Sequence, residues 1–243
     1  MMISKYSFRW FYTSDFLMTI DYYAKSLSEK VLPSFNDRSE EAGKAKDEAY
    51  SLLTRFADPE RFDEADIAER ALVAGISFYM MAEGVVQGIV NMFTAGLYHL
   101  FEQQVIRLLR KALLFGSEEN TPGLFNVKEA RQRLLQYYKI DIFAFASWGK
   151  LEELQLVANT VKHADGRSCT ALKQRRPDLF IHPSLKDDPP PPVPWTVDPR
   201  YPEVFLPLAG EDLYISLAEF TKYVDVTKQF WEELANAVDQ LPG

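Results

Sequence analysis

Cysteine is almost missing from this 243-residue chain: Cys169 is the single one. One thiol excludes an intramolecular disulfide framework and a multi-cysteine zinc site. Histidine is scarce too, and His99, His163 and His182 are too few for a His-rich metal centre. No GxGxxG, Walker A, HExxH or GxSxG pattern occurs. Their absence argues against a nucleotide-driven motor, a zincin and an α/β-hydrolase. No metal and no cofactor is expected. Positive charge is in deficit, with 27 Lys and Arg against 35 Asp and Glu, a net charge of −8. So acidic a body is a poor partner for duplex DNA.

What is present is globular: 47% hydrophobic, 14% aromatic and 26% charged residues, in a chain long enough to bury a sizeable core. The opening run, Met1-Met-Ile-Ser-Lys-Tyr-Ser-Phe-Arg-Trp10, breaks any apolar stretch with polar and charged residues. A secretory signal is therefore not expected, and a cytoplasmic location is. Residues 71–101 are apolar over a length that suits a membrane span. Glu83, Gln87, Asn91 and His99 recur through them, however, and would be costly in lipid. A buried helix of a bundle is expected there, and no membrane.

The pattern predicts helices over most of residues 1–182. Phe16, Ile20, Tyr23, Leu27 and Val31 form one stripe at helical spacing, closed by Pro33. A polar helix follows over 39–56. Asp63 is placed to cap the next segment, which reaches Leu114 without a proline. Its length suggests two helices or one long kinked helix, and Gly84, Gly88 and Gly96 share a face that would admit another helix closely. Asn126 opens a further helix, Ser147 another ending at His163, and a short one starts near Cys169. Trp10-Phe-Tyr12 and Phe78-Tyr-Met-Met81 read as core or interface bulk. Residues 183–243 differ in composition. Pro183, the run from Pro189 to Pro192, Pro194, Pro199 and Pro202 predict an extended strap. Residues 204–215 predict a small β-hairpin, and Ser216 with Glu219 opens a last helix to about Gln240. The expected architecture is all-α: a helical bundle over 1–182, carrying a proline-rich strap, a hairpin and a C-terminal helix over 183–243.

Charge is uneven. Residues 107–176 hold 13 Lys and Arg against 7 Asp and Glu. A basic middle on an acidic body suits a confined anion or RNA groove. Asn159 and His163 stand four apart on one helix side, beside Lys162 and followed by Arg167. An amide, an imidazole and a nearby guanidinium are a phosphate-binding set in which the imidazole can serve as general acid or base. The same residues also suit a purely structural role in closing a helix end.

The run Asn159-Thr-Val-Lys-His163-Ala-Asp-Gly166 resembles the last-helix motif of HEPN (higher eukaryotes and prokaryotes nucleotide-binding) proteins. The earlier helix containing Glu102 and Arg107 is similar to the one that packs against that motif. The resemblance implies an all-helical, HEPN-like, usually dimeric protein of a bacterial defence or toxin–antitoxin system, acting on RNA as a metal-independent endoribonuclease. His163 and Asn159 would then be catalytic, with Lys162, Arg167, Glu102 and Arg107 contacting substrate. Leu156, Val157 and Ala158 occupy the positions where the family's Arg falls. The alternative is a catalytically inactive helical module that dimerises or binds a protein partner.

Overall fold

The computed structural model describes residues 8–56, 58, 62–114, 118, 123–185 and 204–241. Among them helices dominate and no strand occurs. Helix α1, Ser14–Lys25, lies between two π-helical turns, Phe8–Thr13 and Ser26–Val31. The 3-10 turn Leu32–Phe35, with Pro33 in its first turn, ends this run. The expected stripe is inward: Phe16, Ile20 and Leu27 are buried, with Tyr23 and Val31 half-buried. Helix α2 spans Arg38–Phe56 and buries none of its residues.

Helix α3 runs unbroken from Glu64 to Leu108 and continues as a π-helical turn, Leu109–Leu113. The segment is therefore one long helix rather than two. Asp63 caps it, accepting from the Asp66 amide while the Asp66 carboxylate accepts from the Asp63 amide. Three contacts set α2 antiparallel to the first half of α3: Arg38 with Glu83 at 2.5 Å, Gly75 against Ala42 and Lys46, and Tyr50 with Glu64 at 3.4 Å. The second half of α3 enters the core with α1, α5 (Trp148–His163) and α7 (Leu217–Asp239). Helices α4 (Val127–Tyr138) and α6 (Arg167–Arg175) flank this four-helix centre. Asn126 and Ser216 cap α4 and α7 as their sequence pattern predicts. Ser147 does not cap α5; its hydroxyl instead donates to Glu233 of α7 at 2.6 Å.

Trp231 sits at the centre of the core. Its ring lies 4.5 Å from that of Phe16, and its indole N–H donates to Gln104 Oε1 at 2.8 Å. The Gln104 amide in turn donates to the Phe16 carbonyl at 3.2 Å, so α7, α3 and α1 are joined by one side chain. Burying an amide is inexpensive only when both its ends are satisfied, as here.

The expected hairpin does not form. Residues 204–216 loop around a 3-10 turn, Pro207–Ala209, with Gly210 at φ +80°. Their backbone is bonded by α3 rather than by a second strand. Asn91 Nδ2 donates to the carbonyls of Pro207 (2.7 Å) and Leu213 (2.8 Å), and Gln87 Nε2 donates to that of Ile215 (3.0 Å). Two polar residues that argued against a membrane span thus fasten a distant loop. The loop reaches them because Gly84 and Gly88 lack a Cβ: a methyl group at either would collide with the carbonyl of Ala209 or Leu208. A turn, not a helix, occupies these glycines, whereas Gly75 and Gly96 admit α2 and Tyr23 of α1. The strap prolines from Pro189 to Pro202 lie outside the described residues; Pro183 opens a 3-10 turn, Pro183–Leu185.

Gly88→Ala is expected to cost about 1–3 kcal/mol through forced displacement of the loop. Gly43→Ala, in open space on α2, is expected to stabilise by about 0.5–1 kcal/mol. Thermal unfolding of the two variants should shift in opposite directions.

Candidate functional site

Helix α5 ends because Ala164 adopts φ +56° and Gly166 φ +153°. The second is a backbone region open essentially to glycine alone. The Asp165 carboxylate accepts from the Gly166 amide at 3.0 Å, and α6 begins at Arg167. This sharp reversal puts Lys162 and His163, from the last turn of α5, beside Arg167, from the first turn of α6. All three are exposed, and Asn159 is half-buried one turn earlier. Among the described residues, none of the four side chains makes a hydrogen bond or ion pair, and no group orients the His163 ring. The exposed ring and two cations can hold an anion at the surface.

The other expected substrate contacts are engaged elsewhere. Glu102 lies 3.5 Å from His99 on its own helix, and Arg107 pairs with Asp15 of α1 at 2.6 Å. Neither has a side-chain contact with the α5–α6 turn. Ala158 and Val157 are fully buried and Leu156 is half-buried, so two of the three positions where the resemblance calls for Arg point into the core. The basic residues at the end of α6 are occupied as well. Lys173 lies over the Phe180 ring, and Arg175 donates to the Gly149 carbonyl at 2.6 Å.

Arg176 belongs to a feature absent from the expectations above. Lys150 and Arg176 each contact both Glu153 and Glu219, at 2.5–2.7 Å, giving an alternating square of two cations and two buried carboxylates. The Tyr223 hydroxyl adds a donor to Glu153 at 2.7 Å. Burial alone would raise the carboxyl pKa values. Hydrogen bonds from Arg176, Lys150 and Lys222 outweigh it at Glu219 and hold that group at about 2, while Lys150, Tyr223 and Arg176 lower Glu153. The square ties α5, the end of α6 and α7 together, and so fixes the stem that presents the His163 turn. A sequence signal for it was available only as four unremarkable charges spread over residues 150–219.

One further surface stands out. On α3, Leu72, Val73, Ile76, Tyr79 and Met80 are all exposed and recur at helical spacing along the side that also carries Glu83. Met80 is one turn before Gly84, where the 204–210 loop adds exposed Phe205, Leu206 and Leu208. The α3 helix with its π-helical end is long and apolar enough to cross a membrane by length and composition. Yet charged α2 lies alongside it, and Arg38, Lys46 and their acidic neighbours would have to enter lipid with it. Among the described residues, no group of three or more His, Cys, Asp or Glu is arranged to hold a metal ion.

No known protein family, curated protein or solved structure matches this chain.

Stability carried by Glu219 follows from its depressed pKa. It is complete above the ordinary carboxyl range near 4.5 and is lost as pH falls toward 2. Wild-type melting temperature should therefore drop more steeply between pH 4.5 and 2 than that of Glu219→Gln. At pH 7 that variant should be about 3 kcal/mol less stable, because it leaves Arg176, Lys150 and Lys222 each short of a partner. Parallel pH-dependent melts of the two proteins check both statements.

Proposed function

We propose that this chain is a helical interaction module that pairs with a second copy of itself through the outer face of α3 and the adjoining 204–210 loop. The observation that carries this reading is the uncovered apolar surface. Leu72, Val73, Ile76, Tyr79, Met80, Phe205, Leu206 and Leu208 are 40–68% exposed, the first five at helical spacing on α3 and the last three in the loop that packs at Gly84 and Gly88. At on the order of 100 Å² each, they leave roughly 800 Å² of apolar surface in water, more than a monomer's largest patch and about one partner's share of a standard interface. The occupant is best read as a second copy. The α2/α3 arm is two helices without a third layer, and two such arms laid face to face complete a four-helix bundle. A net charge of −8 disfavours an anionic membrane surface as the alternative. The reading agrees with an inactive, cytoplasmic member of a HEPN-like group.

A second reading is favoured by the α5–α6 turn, where Lys162, His163 and Arg167 are exposed and, among the described residues, have no hydrogen-bond or ion-pair partner. Here the turn would hold an RNA phosphate, with Asn159 positioning it and His163 transferring the proton, as the HEPN resemblance implies. Assignment to a defence or toxin–antitoxin system rests on that resemblance.

Size-exclusion chromatography with light scattering should give twice the 27.9 kDa chain mass for wild type. Ile76→Glu with Met80→Glu should give a monomer of unchanged helicity, because both side chains are already exposed. A wild type that stays monomeric at high micromolar concentration removes the first reading. Under the second, single-stranded RNA should be cleaved without added metal, and His163→Ala should lose at least a hundredfold in rate. Cleavage that survives in His163→Ala removes the imidazole from the chemistry.

A further inference from the structure

At the end of α3 opposite its free arm lies a cleft of about 800 Å³. One wall is the π-helical turn Phe8–Thr13 and the start of α1, contributing Trp10, Tyr12, Asp15 and Met18; the other carries Arg107 and Lys111. We infer that this cleft binds a small aromatic carboxylate, a planar ring bearing one negative charge.

The walls are built, not frayed. Phe8 is fully buried, and Arg9 reaches across to α7, donating to Asp239 at 2.5 Å and to Asn236 at 2.8 Å. Trp10, directly after these anchors, is nevertheless 64% exposed and lines the cleft. An indole on an ordered turn is ordinarily covered, because its exposure forfeits much apolar burial. Both walls are formed at π-helical turns, Phe8–Thr13 and Leu109–Leu113. Such turns are rare and concentrate at functional sites.

The electrostatics choose the ligand. Arg107 donates one N–H to Asp15 at 2.6 Å and lies 5.6 Å from the Phe16 ring centroid. Asp15 thus fixes the guanidinium while leaving most of its donors available. Lys111 has no hydrogen-bond or ion-pair partner among the described residues. Among the described residues lining it, two cations and one carboxylate give the cleft a single positive charge, which one carboxylate neutralises and a phosphate dianion exceeds. The volume suits a ligand of one to three rings. Trp10 and Met18 supply the apolar and polarisable surface that a flat ring prefers. Burial raises the Tyr12 pKa, more than nearby Arg107 lowers it, so its hydroxyl stays neutral beside the anion.

The test is calorimetric titration of the whole chain with 2-naphthoate, using 2-naphthamide and cyclohexanecarboxylate as controls. Wild type should bind 2-naphthoate saturably, one per chain, at least tenfold more tightly than either control. Arg107→Gln and Trp10→Ala should each weaken it at least tenfold at unchanged helicity. Asp15→Asn, which raises the cleft charge, should tighten it severalfold, an effect that damage to folding would not produce. Ile76→Glu with Met80→Glu should bind as wild type does, keeping this site separate from self-association. The inference is overturned by no saturable binding, by equal binding of acid and amide, by an unaffected Arg107→Gln, or by loss of binding in the α3-face variant.

Discussion

The length of α3 is the constraint from which the rest of the molecule follows. Forty-five residues in one helix extend roughly 68 Å at 1.5 Å per residue, about twice what a four-helix core of this size covers. Its second half therefore packs against several elements, with Phe16, Trp231 and Leu154 in the shared core. Its first half has only α2. Apolar residues occur in both halves, so burial succeeds in one and leaves Leu72 to Met80 in water in the other. The same sequence character yields a core at one end of the helix and an uncovered face at the other.

Polar groups inside this helix and its neighbours determine which arrangement of the bundle is adopted. Gln104 accepts from Trp231 and donates to Phe16, while Asn91 and Gln87 secure the 204–216 loop. Lys150, Glu153, Arg176 and Glu219 do the same for α5, α6 and α7. Each group is satisfied only when the correct helices meet. Shifting a helix by one turn would leave buried amides or charges unpaired, at a cost greater than the gain from apolar repacking. Apolar contact alone would tolerate such shifts.

Local signals in the chain were legible, and remote ones were not. Asp63, Asn126 and Ser216 were readable as helix starts because a cap and the amide it serves lie within one turn. The α1 stripe was readable from spacing. The absent hairpin shows the opposite case: residues 204–215 have strand-like composition, but their hydrogen bonds go to side chains more than a hundred positions earlier. Gly84 and Gly88 were recognisable as a close approach, yet nothing local says whether a helix or a turn arrives. Asn159, Lys162, His163 and Arg167 were readable as neighbours because they flank one reversal. Arg107 was not, since its partner Asp15 is 92 residues away. Trp10 gave the pattern of core bulk and is exposed, because Phe8 and Arg9 provide the anchoring instead.

The unbroken backbone between Glu64 and Leu108 also gives the molecule a mechanical property. With no proline or hinge along it, the helix moves as a lever whose fulcrum is the packed bundle. Roughly 24 residues project beyond Gly88, about 36 Å of rod. A rigid tilt of about 5° at the fulcrum would sweep the far tip through about 3 Å and the Arg107 end through about 2.5 Å in the opposite sense, so the two ends of the rod are geometrically coupled.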